Sequence, residues 1–176
     1  MKKLNNLNRS FNELLSAEET TLTYEGYYSA LVSWLKSKEE LKEEIEKGGN
    51  LAILLDLDPY QYIIEKPDIL LNKEKERLGS RRYKSIENML MSIGDTLWDL
   101  VTEYSEKDCP ICVHGGLRYM MAENESTNGK ELILECNTCV WSEHLNGREW
   151  TEGLAKVYPV NRKEIERYLA KIQSNS

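Results

Sequence analysis

The 176-residue chain contains no uninterrupted apolar run near the roughly 18 residues that a membrane-spanning helix needs. Its start, Met1-Lys2-Lys3-Leu4-Asn5-Asn6-Leu7-Asn8-Arg9, is basic with no apolar stretch behind it, which argues against a secretion signal and points to the cytoplasm. No internal repeat and no low-complexity tract is present. Missing too are a phosphate-cradling glycine motif, a nucleophile elbow and a His-Glu-x-x-His helix. With only two histidines, His114 and His144, acid–base chemistry would have to rest on carboxylates or tyrosines. Asp56 and Asp58 form a lone carboxylate pair that reads as a helix start. The expectation is a protein that is not an enzyme.

Hydrophobic residues make up 40% and charged residues 30%, the balance of a folded globular chain with a modest core. There are 23 basic and 30 acidic residues, a formal net charge of −7. Residues 1–105 hold 14 basic against 19 acidic, and residues 106–176 hold 9 against 11. A field of that sign repels a phosphate backbone and favours a basic protein surface as partner.

The first hundred residues read as a string of helices. Ser10-Phe11-Asn12-Glu13 and Ser16-Ala17-Glu18-Glu19 have capping-box spacing. Leu22, Glu25, Tyr28, Leu31, Val32 and Leu35 then keep the rhythm of one helical face, which Gly26 weakens without breaking. Ser37-Lys38-Glu39-Glu40 restarts a helix carrying Leu41 and Ile45, ended by Gly48-Gly49. The apolar run Leu51–Leu55 fits a buried helix or a strand by periodicity, and its helical surroundings favour helix. Asp58-Pro59 starts a short helix expected to run from Tyr60 to Lys66 and close at Pro67. The clearest helix is predicted over Ser80–Ser105, where Tyr83, Ile86, Leu90, Ile93, Leu97, Leu100 and Tyr104 form a heptad seam. Packing inside a helical bundle is the expected use of that seam; a homodimer through the 80–105 helix is the alternative.

After Ser105 periods shorten, turn residues accumulate and all four cysteines appear. Cys109-Pro110-Ile111-Cys112 and Cys136-Asn137-Thr138-Cys139 are separated by 23 residues. Two residues between cysteines let a tight knuckle aim both sulfurs at one ion, and two knuckles complete a tetrahedral four-sulfur shell. Strands are expected at Leu117–Met121 and Leu132–Leu134, joined by the polar loop Glu123–Gly129, with a third from Val140. Asn146-Gly147 is a type I′ turn signal leading into Arg148–Thr151. This order of knuckle, hairpin, knuckle and strand resembles a zinc ribbon over residues 107–152. The resemblance implies a small β fold and a structural zinc ion held by Cys109, Cys112, Cys136 and Cys139, with iron in the same four-sulfur geometry as the other metal. Ribbons serve transcription factors, nucleic-acid enzymes and interaction modules alike, so no function follows from it. His114 and His144 are read as surface or hairpin histidines, with metal ligation or donation to a ligand as the alternatives.

Other candidate sites are surfaces. A two-residue turn at Asn146-Gly147 would pair Glu143 with Trp150 and put Trp141 and Trp150 on one face, either as a seal or as an exposed platform for a partner, with Glu143 and Glu149 beside it. Arg81 and Arg82, near Lys73, Lys75, Arg77 and Lys84, form the densest basic stretch and read as a solvated helix face. As an alternative they contact nucleic acid with Arg118 and Arg148. Asn161-Arg162-Lys163-Glu164 predicts a capped terminal helix with Ile165, Tyr168, Leu169 and Ile172 on its apolar side. The expected architecture is mainly α with a small β ribbon: a helical domain at 1–105, a zinc ribbon at 106–153, and a segment with a helix at 154–176 that packs back. The expected role is a zinc-binding protein-interaction subunit, either an accessory component of a bacterial complex or an inhibitor or immunity protein covering a basic target. A zinc-ribbon nucleic-acid-binding or regulatory factor is the alternative.

Overall fold

The computed structural model describes residues 2–17, 23–47, 50–64, 71–113, 115–124, 129–151 and 155–174. The chain forms two compact units, Met1–Leu100 and Val101–Ser176. The composition boundary at 106–108 therefore lies a few residues past the structural one, and the segment expected as a separate third part, 154–176, belongs to the second unit. Among the described residues no helix is long and apolar enough to cross a membrane.

Helix α1 spans Lys2–Ser16 and buries Leu7, Phe11 and Leu15, three residues at steps of four on one face. Ser10 lies inside it with its hydroxyl on the Leu7 carbonyl, so the capping box expected at Ser10–Glu13 does not start a helix. The spacing is coincidental, because Leu7, Phe11 and Leu15 extend the apolar stripe through it. Helix α2, Tyr24–Lys36, is capped by Thr23, whose hydroxyl accepts from the Gly26 amide at 3.0 Å. Thr23 takes the role expected of Ser16, and Glu18–Leu22 lie outside the described residues. Tyr27, Tyr28, Leu31, Trp34 and Leu35 of α2 are buried, and Phe11 meets Trp34 with ring centroids 4.8 Å apart.

A 3₁₀ turn at Glu39–Leu41 leads into α3, Lys42–Lys47, and α4 covers Asn50–Leu55; Gly48-Gly49 lies outside the described residues. Asp58 caps α5, Pro59–Tyr62, by accepting from the Tyr60 amide, with proline at the first turn as its sequence signals. This helix stops at Tyr62 rather than continuing toward Lys66. Residues 65–70 lie outside the described set, and α6 follows at Leu71–Gly79.

Helix α7 spans Ile86–Val101, shorter at both ends than the predicted 80–105. Ser85 starts it, accepting from the Asn88 amide at 3.1 Å. Tyr83 is held outside the helix by the Asn8 amide group, which donates to its carbonyl and accepts from its N–H. That pair replaces the helical bonds Tyr83 would otherwise make. Leu90, Ile93, Leu97 and Leu100 of the seam are buried within this chain.

At the other end Tyr104 belongs to strand β1, Tyr104–Asp108, because it pairs with Arg118 of β2, Gly116–Asn124. β2 is the centre of an antiparallel sheet. β3, Lys130–Cys136, runs along one edge with Leu117 opposite Cys136 and Met121 opposite Leu132. The other edge is shared end to end by β1 and by β5, Ala155–Pro159. β4, Ser142–His144, flanks β3. Helix α8, Arg162–Ser174, opens on the Asn161–Glu164 box: Asn161 accepts from the Glu164 amide, and the two side chains bond each other, both at 3.0 Å. Its Ile165 packs on Met121, Leu132 and Val160, with Tyr168 and Leu169 at the margin. On the same sheet face, one turn of pleat further along, Leu117 and Leu134 pack with Cys109 and Cys136.

Candidate metal centre

The sheet positions the two knuckles at one end of the β2–β3 pair, where Leu117 at the start of β2 faces Cys136 at the end of β3. Cys109 follows directly on β1, and its amide donates to the Gly115 carbonyl at 2.8 Å, closing the first knuckle. Cys136 is the last residue of β3; its amide donates to the Trp141 carbonyl at 2.7 Å and its carbonyl accepts from Val140, closing the second. The residue after each knuckle, Val113 and Val140, has φ of 60° and 61°, so both turns leave through the same left-handed conformation. A β-branched residue there is strained.

All four sulfurs lie within 4.8 Å of one another. Two distances between the knuckles, Cys109 to Cys139 and Cys112 to Cys136, are both 3.6 Å. A tetrahedron with metal–sulfur bonds of about 2.3 Å has edges of about 3.8 Å, so these sulfurs fit around one ion. Backbone amides point at them: Ile111 at Cys109 Sγ, and Thr138 and Cys139 at Cys136 Sγ, each at 3.4 Å. Such donors stabilise thiolates. Among the described residues no histidine or carboxylate joins the cluster. The donor set can hold a metal ion and supply it with four sulfurs.

With no ion to balance them, four neighbouring thiolates repel. The Trp141 amide pulls the Cys139 thiol down, but lost solvation and the three other cysteines outweigh it and push it up to about 12. A divalent cation reverses that balance.

Gly115 leaves no room for a side chain. A Cβ there would sit 2.5 Å from Cys136 Sγ and 2.9 Å from Thr138 Oγ1. Neither this glycine nor the paired left-handed valines were legible from the cysteine spacing; a glycine three residues past the first knuckle is the one signal the sequence offers.

The remaining predicted site residues are scattered. Trp141 packs half-buried against the cysteine cluster. Trp150 lies opposite Ser142, to whose carbonyl its amide donates, while Glu149 bridges to Glu143. The turn is not type I′, because Asn146 does not have positive φ. Gly147 alone does, at 85°, and His144–Gly147 closes as a type I turn with a bulge. That extra loop residue shifts the register by one and turns Trp150 away from the Glu143 face, so the two tryptophans form no joint platform. Glu143 is only 5% exposed and holds Lys107 at 3.1 Å, whereas Glu149 is exposed. Arg118 is bound to Glu135 at 2.6 Å, Arg148 contacts His144, and Arg81 donates to Ser92, with Arg82 exposed nearby. His144 is no surface histidine: it is 7% exposed, with its Nδ1 2.6 Å from Glu131. His114 lies outside the described residues.

Comparison with known protein families, with curated proteins and with solved structures returned no match.

Proposed function

We propose that the second unit is a zinc ribbon whose Cys109, Cys112, Cys136 and Cys139 hold a structural Zn²⁺, and that the protein is a non-catalytic interaction subunit. The observation that carries the metal reading is the four-sulfur cage itself. Four thiolates fill a tetrahedral shell, and a filled shell leaves no position for water or substrate. Zinc is preferred over iron because it has no redox chemistry to control and its geometry is set by the ligands alone. The ion holds the ends of two strand pairs together and supplies folding free energy.

A protein partner with a basic surface is favoured by the net charge of −7, to which a tetrathiolate with one divalent ion adds a further formal −2. Glu149 and the exposed acidic residues Glu106 and Asp108 beside the first knuckle lie on the surface such a partner would meet. An accessory component of a complex and an inhibitor or immunity protein both fit this chemistry. The nucleic-acid reading is weaker, since Arg118 is already neutralised by Glu135. Affinity capture with the metal-loaded protein, followed by nuclease treatment, should retain a stoichiometric protein partner. Recovery of nucleic acid alone, with an affinity that falls steeply with salt and with charge reversal at Arg81 or Arg82, contradicts the proposal.

A further inference from the structure

Within the second unit, an open cleft of about 750 Å³ lies between α8 and the β3–β4 edge, away from the cysteines. Its size falls in the range of small-molecule sites. Leu132, Leu145, Leu169 and Ile172 make it apolar, and Tyr168 adds a ring face. Ile172 is 46% exposed on an otherwise polar stretch of helix. At one side stand Glu131, His144 and Arg148.

These three form a chain of hydrogen bonds with a fixed direction. Arg148 Nη2 lies 3.1 Å from His144 Nε2, and a guanidinium can only donate. His144 therefore accepts at Nε2 and carries its hydrogen on Nδ1, which donates to Glu131 Oε1 at 2.6 Å. The imidazole is neutral, and it aims the guanidinium instead of neutralising it. Among the described residues Arg148 makes no ion pair. Only one of the five side-chain N–H groups of Arg148 is used in this chain of bonds, and the rest of its fork matches a carboxylate. Outside the lining, on α8, Arg167 and Lys171 sit 5.8 and 5.7 Å from the centre of the Tyr168 ring, and Arg167 is also 3.8 Å from Glu164. The lining itself carries one acid, Glu131, and one base, Arg148, and only the acid is engaged by the imidazole as acceptor, which leaves the guanidinium facing the apolar wall.

We propose that this cleft binds a small apolar carboxylate, its acid group on Arg148 and its hydrocarbon part against Leu145, Leu169 and Ile172. A neutral apolar molecule leaves the guanidinium without its counter-ion, and an apolar amine is repelled by it. Glu131 does not compete for the guanidinium, because the imidazole stands between them.

Isothermal titration of the metal-loaded full chain with octanoate, 1-octanol and octylamine tests this. Octanoate should bind, octanol at least tenfold more weakly, and octylamine not measurably. Arg148→Gln should reduce octanoate to the level of octanol, and Arg148→Lys should recover part of the loss, with unchanged circular dichroism. Ile172→Glu, at an exposed position, should weaken octanoate as well. Equal affinity for octanoate and octanol, no binding of octanoate, or wild-type binding by Arg148→Gln would each overturn the proposal.

Discussion

At the scale of single residues, the metal centre depends on three positions that are not ligands. Gly115→Ala would drive a methyl group onto Cys136 Sγ, which the knuckle backbone holds in place. Metal affinity should fall at least tenfold in a chelator competition, while Gly147→Ala, where a Cβ meets nothing within 4 Å, should keep the metal and lose only about 1 kcal/mol to its positive φ. Val113 and Val140 give the opposite expectation. Both are exposed, at 77% and 69%, so removing the side chain costs little burial, while glycine relieves the left-handed strain. The strain is worth about 1–2 kcal/mol, partly offset by the roughly 0.5–1 kcal/mol that glycine's freer unfolded chain costs. Val113→Gly should therefore be more stable than wild type, by up to about 1.5 kcal/mol, and melt higher; a lower melting point would show that the valine side chain is held by something. The four-cysteine cluster itself was readable from sequence, because two knuckles of this spacing can bring four sulfurs together. The valines were not, since a β-branched residue is the last type expected at positive φ.

Among the elements, helix α2 contains two neighbouring tyrosines, Tyr27 and Tyr28, with opposite consequences. The Tyr28 hydroxyl donates to the Leu54 carbonyl, whereas the buried Tyr27 hydroxyl has no partner among the described residues. Tyr28→Phe should cost about 1–1.5 kcal/mol, and Tyr27→Phe should be neutral or stabilising; denaturant melts would separate them. Burial pushes both phenols above their ordinary range, with Glu74 adding to the effect at Tyr27 and Asp56 at Tyr28. The folded state thus favours the neutral form. Stability from these groups is complete below about pH 10, where free tyrosine ionises, and falls as pH rises beyond it, because the unfolded chain releases the protons first. Replacing Tyr27 by Phe should flatten that alkaline loss. Helix starts were legible here wherever a capping side chain stood at the right spacing, as at Asp58-Pro59 and Asn161–Glu164. They failed at Ser10 and at the ends of α7. At Ser10 the spacing occurs by chance inside a longer stripe; at Tyr83 and Tyr104 long-range pairing with Asn8 and Arg118 overrides the heptad. The Asn146-Gly147 hairpin shows how one added loop residue, invisible in the dipeptide, reverses which face a tryptophan occupies.

For the whole molecule, the sequence divides where its periodicity changes, and the structure divides within a few residues of that point. The helical part buries its own aromatic and aliphatic core around Phe11, Tyr28 and Leu31. The sheet part has a small core on each side of Tyr119, and one of these cores is made partly of the cysteines. Removing the metal should therefore act unevenly, exposing the sheet part to proteolysis and hydrogen exchange before α1 and α2. The acidic charge and the four-cysteine cluster belong to this scale too, and both were legible in the sequence. The cleft beside Arg148 was not legible, because Glu131, His144 and α8 come together only through the pairing of β3 with β4.

Cobalt(II) titration of the reduced apoprotein, read in the visible d–d and thiolate-to-metal bands, tests the four-sulfur cage most directly. One ion per chain with the spectrum of tetrahedral four-thiolate coordination is expected, displaced by Zn²⁺ and converted to a three-sulfur spectrum by Cys139→Ser. A six-coordinate spectrum, or a reduced protein that is fully folded and takes up no metal, would contradict it.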